Sequence, residues 1–192
     1  MNIINTTTLQ SRRLFTDPEQ VGFSNLMPVV SPDGTKVAFV SNRSGHYRIW
    51  VSNLDGSGAS LVSPTAADLD GNLQLPIEQK VPSWSSDGKR IAHWEGVEMD
   101  HLGTFTGKAD PSRDALIEGS WNVWIVGRDG KNKRRAGRGD DPNWSPDGFV
   151  TRSFPDRTRG GANVMIETKE GWKELPIVPA NTLRYGGFTW RR

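Results

Sequence analysis

A segment that returns three times constrains this chain more than any other feature. Pro28-Val29-Val30-Ser31-Pro32-Asp33-Gly34 recurs as Pro82-Ser83-Trp84-Ser85-Ser86-Asp87-Gly88 and again as Pro142-Asn143-Trp144-Ser145-Pro146-Asp147-Gly148. The aspartates at 33, 87 and 147 stand 54 and 60 residues apart. After each copy comes a short strand-like stretch, at 36–40, 89–94 and 149–153. A second strand and turn follow: Ile49-Trp50-Val51-Ser52-Asn53-Leu54-Asp55-Gly56 matches Val123-Trp124-Ile125-Val126-Gly127-Arg128-Asp129-Gly130, with a weaker copy at 164–171.

The chemistry of the unit predicts β-structure. Asp-Gly supplies the positive-φ residue of a tight hairpin, and the proline before it presets the turn. The apolar stretches are short, β-branched and aromatic, and none keeps a 3.6-residue period. Each unit therefore reads as four antiparallel strands, with the Pro-x-Trp strand innermost and the polar strand after the second Asp-Gly outermost. Four-stranded units repeated in this way are propeller blades.

These motifs resemble the TolB-type β-propeller repeat, whose signature is Pro-x-Trp-Ser-Pro-Asp-Gly followed by an Ile-Tyr/Trp-Val strand and an Asp-Gly turn. Ser86 stands where proline is usual, and Val30 stands in the tryptophan place. The resemblance covers about 28–178 and implies one all-β, propeller-like domain over 1–192. It divides into blade 1 at about 28–65, blade 2 at about 80–138 and blade 3 at about 140–178, with terminal strands at about 12–16 and 183–190. Three blades fall short of the roughly four to eight of a closed ring. The expectation is an incomplete or degenerate propeller whose strand edges are covered by a protein partner or a second copy.

Composition narrows the function. The formal net charge is +2, which argues against a globally basic nucleic-acid binder. Charge is uneven, however: residues 1–130 carry 11 basic and 15 acidic side chains, and residues 131–192 carry 13 and 7. There is no cysteine, so disulfides, thiolate zinc sites and a cysteine nucleophile are excluded. No apolar run approaches the length of a transmembrane segment. The first residues lack a secretory signal, which predicts a cytoplasmic protein; the family resemblance offers the periplasm as the alternative. No Gly-x-Ser-x-Gly elbow is present, and no cofactor is expected.

Candidate sites fall in blade 2 and at the chain's aromatic residues. Blade 2 carries about 20 extra residues at 97–118, read as a partner-contact arm. Its Met99, Leu102 and Phe105, together with Trp94, Trp190, Arg134 and Arg135, are the expected partner contacts. The basic run from Lys131 to Arg138 suits an anionic protein or membrane surface better than nucleic acid, because no aromatics interleave with it. His93, Glu95, Glu98, Asp100 and His101 are potential metal ligands within nine residues, although no recognised ligand spacing is present. The leading expectation is a non-enzymatic interaction or scaffold subunit of a larger assembly. The alternatives are a metal-dependent, homodimeric propeller lyase or hydrolase acting on acidic sugars, and a remnant of a longer propeller.

Overall fold

A computed structural model describes residues 1–16, 22–64, 77–97, 121–148, 150–156 and 161–175. These residues are all-β, with no helix among them. A hairpin of β1 (Asn2–Ile4) and β2 (Ser11–Arg13) comes first. Blade 1 follows as β3 (Asn25–Val30), β4 (Lys36–Ser41), β5 (Arg48–Asn53) and β6 (Ser60–Leu61). Blade 2 is β7 (Ile77–Trp84), β8 (Arg90–Val97), β9 (Asn122–Gly127) and β10 (Arg134–Arg138). Blade 3 is β11 (Asp140–Trp144), β12 (Val150–Asp156), β13 (Gly161–Thr168) and β14 (Gly171–Glu174). Each blade is a four-stranded antiparallel meander in sequence order. Together they form a propeller-like arrangement whose sheets, among the described residues, are not closed.

The turn between the first two strands is held by more than its glycine. Ser31 Oγ donates to Asp33 Oδ1 (2.6 Å), Asp33 accepts from the Thr35 amide (3.0 Å), and Ser31 Oγ accepts from the Lys36 amide (2.9 Å). Ser85, Asp87, Lys89 and Arg90 repeat the clasp with the same lengths. The hydroxyl and amide donors around Asp33 hold its carboxyl down at about 2. The conserved shape of the turn thus comes from a Ser-x-Asp pair, with Gly34 and Gly88 supplying φ of +68° and +65°.

Each first strand begins before the proline of its repeat, earlier than the sequence suggests. A β-bulge makes this possible. In blade 1, Met27-Pro28 together oppose Phe39; in blade 2, Val81-Pro82 oppose His93; in blade 3, Asp141-Pro142 oppose Arg152. The residue before each proline takes positive φ: Met27 at 49°, Val81 at 55° and Asp141 at 42°. That conformation is strained for a residue with a Cβ, and most of all for β-branched valine. The amide that the bulge frees at Val81 meets the Met27 sulfur at 3.4 Å.

The core runs through three successive interfaces. The hairpin packs Leu14 and Phe15 on Val37 and Phe39, with Ile3 and Trp50 alongside. Blades 1 and 2 bury Val40, Ile49, Val62, Trp84 and Ile91 together, and Trp84 Nε1 donates to the Val29 carbonyl (2.9 Å). Blades 2 and 3 bury Ala92, Val123, Ile125, Trp144 and Val150, and the Arg90 guanidinium lies 4.6 Å from the Trp144 ring. Trp84 and Trp144 are thus inter-blade packing, as their shared position in the repeat predicts.

The hairpin stands toward blade 1 as β5–β6 stand toward blade 2. The Leu14 amide bonds the Met1 carbonyl as the Val62 amide bonds the Ile49 carbonyl, both at 3.1 Å. The Asp-Gly turn of blade 1 packs on the first link and that of blade 2 on the second. A Cβ at Gly56 would lie 2.0 Å from the Leu14 carbonyl oxygen, and one at Gly130 would lie 3.5 Å from that of Val62. Residues 12–16, expected as a lone outer strand, therefore overlap β2, and β2 has a partner in β1. The hairpin supplies the outer half of a blade-like sheet.

Candidate interaction faces

His93 and Glu95 of β8 point into the junction between blades 1 and 2. His93 and Glu95 share one face, as strand alternation predicts. His93 is 0% exposed. Its Nδ1 lies 3.1 Å from the Trp94 carbonyl, which can only accept, so Nδ1 carries the proton. Nε2 then accepts from Ser63 Oγ (2.8 Å). Burial, reinforced by the nearby Lys133 ammonium, pushes the imidazole down to about 3, so it is neutral near pH 7. Gln79 bridges the rest: Oε1 accepts from the Ile49 amide (3.0 Å), and Nε2 donates to the Ser63 carbonyl (2.7 Å) and to Glu95 Oε2 (2.8 Å). Lys133 Nζ closes the network on Glu95 Oε2 (2.6 Å) and the Pro64 carbonyl (3.0 Å).

The ligand atoms of His93 and Glu95 are thus engaged in joining two blades. Among the described residues no three potential ligands gather. Glu98, Asp100 and His101 lie outside the described residues. The Ser63–His93 pair has the hydrogen bond of a nucleophile and its base, but both side chains are fully buried and meet no solvent. Ser63, Gln79 and Lys133 were not visible as members of this cluster. They are distant in sequence, and only blade packing brings them together.

The expected partner contacts divide. Trp94 points to the opposite side of β8 from His93 and is 7% exposed, set edge-on against Trp121 at 6.3 Å. It is a packing residue and not a rim anchor, because β8 is an inner strand covered on both faces. One guanidinium nitrogen of Arg134 donates to both Glu167 carboxylate oxygens (2.9 and 3.0 Å), tying the outer strand of blade 2 to blade 3. Arg135 stays exposed and donates to Asn122 Oδ1 (2.7 Å). Met99, Leu102, Phe105 and Trp190 lie outside the described residues.

The face of blade 1 turned toward the hairpin is a stronger candidate. The hairpin covers its outer half. Among the described residues its inner half, β3, is uncovered: Leu26 and Val30 are 41% and 51% exposed. The corresponding strand of blade 2 is buried against blade 1, and Trp84, in the place of Val30, is 6% exposed. Between hairpin and β3 lies a cleft of about 420 Å³, lined by Asn2, Arg13, Phe15, Phe23, Asn25 and Leu26 among others. Behind it Arg43 stacks 4.9 Å from both the Phe15 and Trp50 rings and donates to Asn25 Oδ1 (2.9 Å). Charge and apolar surface therefore meet along one open groove, a composition that marks contact surfaces. In sequence the signal was faint: Val30 in a tryptophan position.

No family model matches the chain, and no curated protein matches it. Solved structures do. TolB from Acinetobacter baumannii superposes with a TM-score of 0.59 at 18% identity, over 92% of this chain and 37% of that one. A putative TolB from Agrobacterium tumefaciens gives 0.50 at 23% identity, over 80% and 50%. The acylaminoacyl peptidase of Pyrococcus horikoshii gives 0.57 at 17% identity, over 93% and 28%. At these identities the likeness shows the fold alone. The chain spans half or less of the length of each of these proteins.

Proposed function

We propose that this protein is a non-enzymatic interaction subunit that docks a partner protein on the leading face of blade 1. One observation carries the reading: Leu26 and Val30 stand 41% and 51% exposed on β3 beside the cleft, whereas Trp84, the blade-2 equivalent of Val30, is buried. Isolated exposed apolar residues need no explanation, but an apolar position left open beside a cleft where the next blade buries a tryptophan does. In the same reading the blade-2 insertion and the exposed Arg135 are further contacts for the partner. The same fold occurs both in TolB proteins and in peptidases, so the fold does not decide between binding and catalysis. What favours binding is that the one nucleophile–base pair described is sealed in the core.

The test is the pair Leu26→Asp and Val30→Asp, made together, with the full chain used as bait for its binding partners. Association is expected to fall by about tenfold or more, as for loss of a buried apolar anchor. Circular dichroism and the melting transition should change little. Unchanged association would refute this face as the docking surface, and retained peptidase or lyase activity in the purified chain would refute the non-enzymatic reading.

A further inference from the structure

The cleft beside the hairpin has a backbone edge as well as apolar walls, and the edge specifies what fits. In the β1–β2 hairpin, Met1 pairs with Leu14 and Asn5 with Gln10 through hydrogen bonds. The register places Ile3 opposite Arg12, Asn2 opposite Arg13 and Ile4 opposite Ser11. In an antiparallel pair, hydrogen-bonded and non-bonded positions alternate. The N–H and C=O groups of Asn2 and Ile4 therefore point away from β2, to the free edge of the two-stranded sheet. That edge faces the side where a further strand of the sheet would lie.

The side chains set the rest of the specificity. Phe23, at 39% exposure, and Leu26, at 41%, offer apolar contact within the cleft. Arg13 lines the cleft and has no carboxylate partner among the described residues, and no acidic residue lines the cleft with it. Arg12, its neighbour, is already spent on the Leu54 carbonyl. Among the described residues the groove combines an unpaired strand edge, apolar walls and an uncompensated cation. Resting on the docking reading above, the geometry points to its occupant: an extended segment of a partner protein that adds as a strand to β1, alternating apolar with acidic side chains and placing a carboxylate on Arg13. Strand addition of this kind draws affinity from main-chain bonds and specificity from alternate side chains.

The experiment titrates the full chain with two capped octapeptides, one alternating valine with glutamate and one alternating valine with lysine. The glutamate peptide is expected to bind about tenfold more tightly, with the gap narrowing at high salt. It should slow amide hydrogen exchange at Asn2 and Ile4 and leave Ile3 unchanged. Arg13→Glu should invert the peptide preference; Arg13→Gln, a milder change on an exposed site, should abolish it. Equal affinities, or binding without protection at Asn2 and Ile4, would overturn the assignment. If neither peptide binds while Leu26→Asp/Val30→Asp still weakens partner association, strand addition fails and the docking reading stands. If the glutamate peptide binds while that double variant leaves partner association intact, the docking reading fails instead. A native mass that doubles with concentration, reverts with Leu26→Lys and ignores the peptide would give the face to a second copy and overturn the acidic segment.

Discussion

Phe39 and His93 occupy one position in successive blades, each opposite the bulge of its blade's first strand. Phe15 and Ser63, each one residue beyond the matched links at Leu14 and Val62, are their counterparts on the preceding sheet. One contact is a pair of rings 5.1 Å apart; the other is a hydroxyl and an imidazole 2.8 Å apart. The hairpin–blade 1 interface fills the site with apolar volume. The blade 1–blade 2 interface fills it with a hydrogen-bond network that includes Gln79, Glu95 and Lys133. In blade 3 the position holds Arg152, stacked 4.3 Å from Trp172 and donating to the Arg138 carbonyl. The repeat therefore conserves the geometry of the contact and leaves its chemistry open. A polar solution succeeds only when every buried group finds a partner, and here the network achieves that.

The two solutions should fail differently. Phe39→Ala removes a fully buried ring that meets Phe15 and the Arg43 guanidinium, and is expected to cost about 3–5 kcal/mol in denaturant unfolding, with no dependence on pH. A loss below about 1 kcal/mol would mean that the hairpin does not pack as described.

The His93 contact should instead titrate. Its folded pKa of about 3 lies below the ordinary value of 6.5, so the unfolded chain binds the extra proton between those limits. Stability contributed by the neutral imidazole is full above about pH 6.5 and is lost as pH falls toward 3. The slope approaches about 1.4 kcal/mol per pH unit midway. Below pH 4 the lowered carboxyls of Asp33, Asp55 and Asp87 add to the loss, while the raised Asp140 and Asp141 act in the opposite sense. Subtracting a His93→Gln variant cancels the carboxylates. The difference between the two unfolding curves should vary between pH 4 and 6.5, and a flat difference would show that His93 is protonated in the folded state.

The smallest effect concerns the bulges that these positions face. Val81 holds φ of 55° with a β-branched side chain. Val81→Asn is expected to raise stability by about 1 kcal/mol, since asparagine tolerates that conformation. Met27→Asn should gain less, because unbranched methionine is less strained there. Differential melting of the two variants decides; equal gains would detach the strain from β-branching.

Much of the fold was legible. Asp-Gly spacing marked the turns, and short apolar runs marked the strands, because both depend on neighbours in sequence. The bulge was not, since the residue before each proline is methionine, valine or aspartate, and nothing in those types announces positive φ. β1 was also missed: Asn2-Ile3-Ile4 is too short to show an alternation. At the candidate sites, alternation placed His93 and Glu95 on one face correctly but did not say what that face meets. Their partners lie 16 to 38 residues away. Trp94 looked like an anchor because indole is common on contact surfaces, and its burial came from the neighbouring strands.

The Gly56 contact also bears on how the molecule comes apart. In an array where each sheet touches only its neighbours, stability is a sum of local terms and nearest-neighbour couplings. Among the described residues the hairpin is coupled through one interface, whose backbone approach admits no Cβ at 56. Blade 2 is coupled on both sides. A unit held on one side opens before one held on two, so the hairpin can detach as a cooperative unit while the Ser63–His93 junction remains shut. The docking surface proposed above then includes a singly coupled unit, where binding and local melting compete for the same backbone amides.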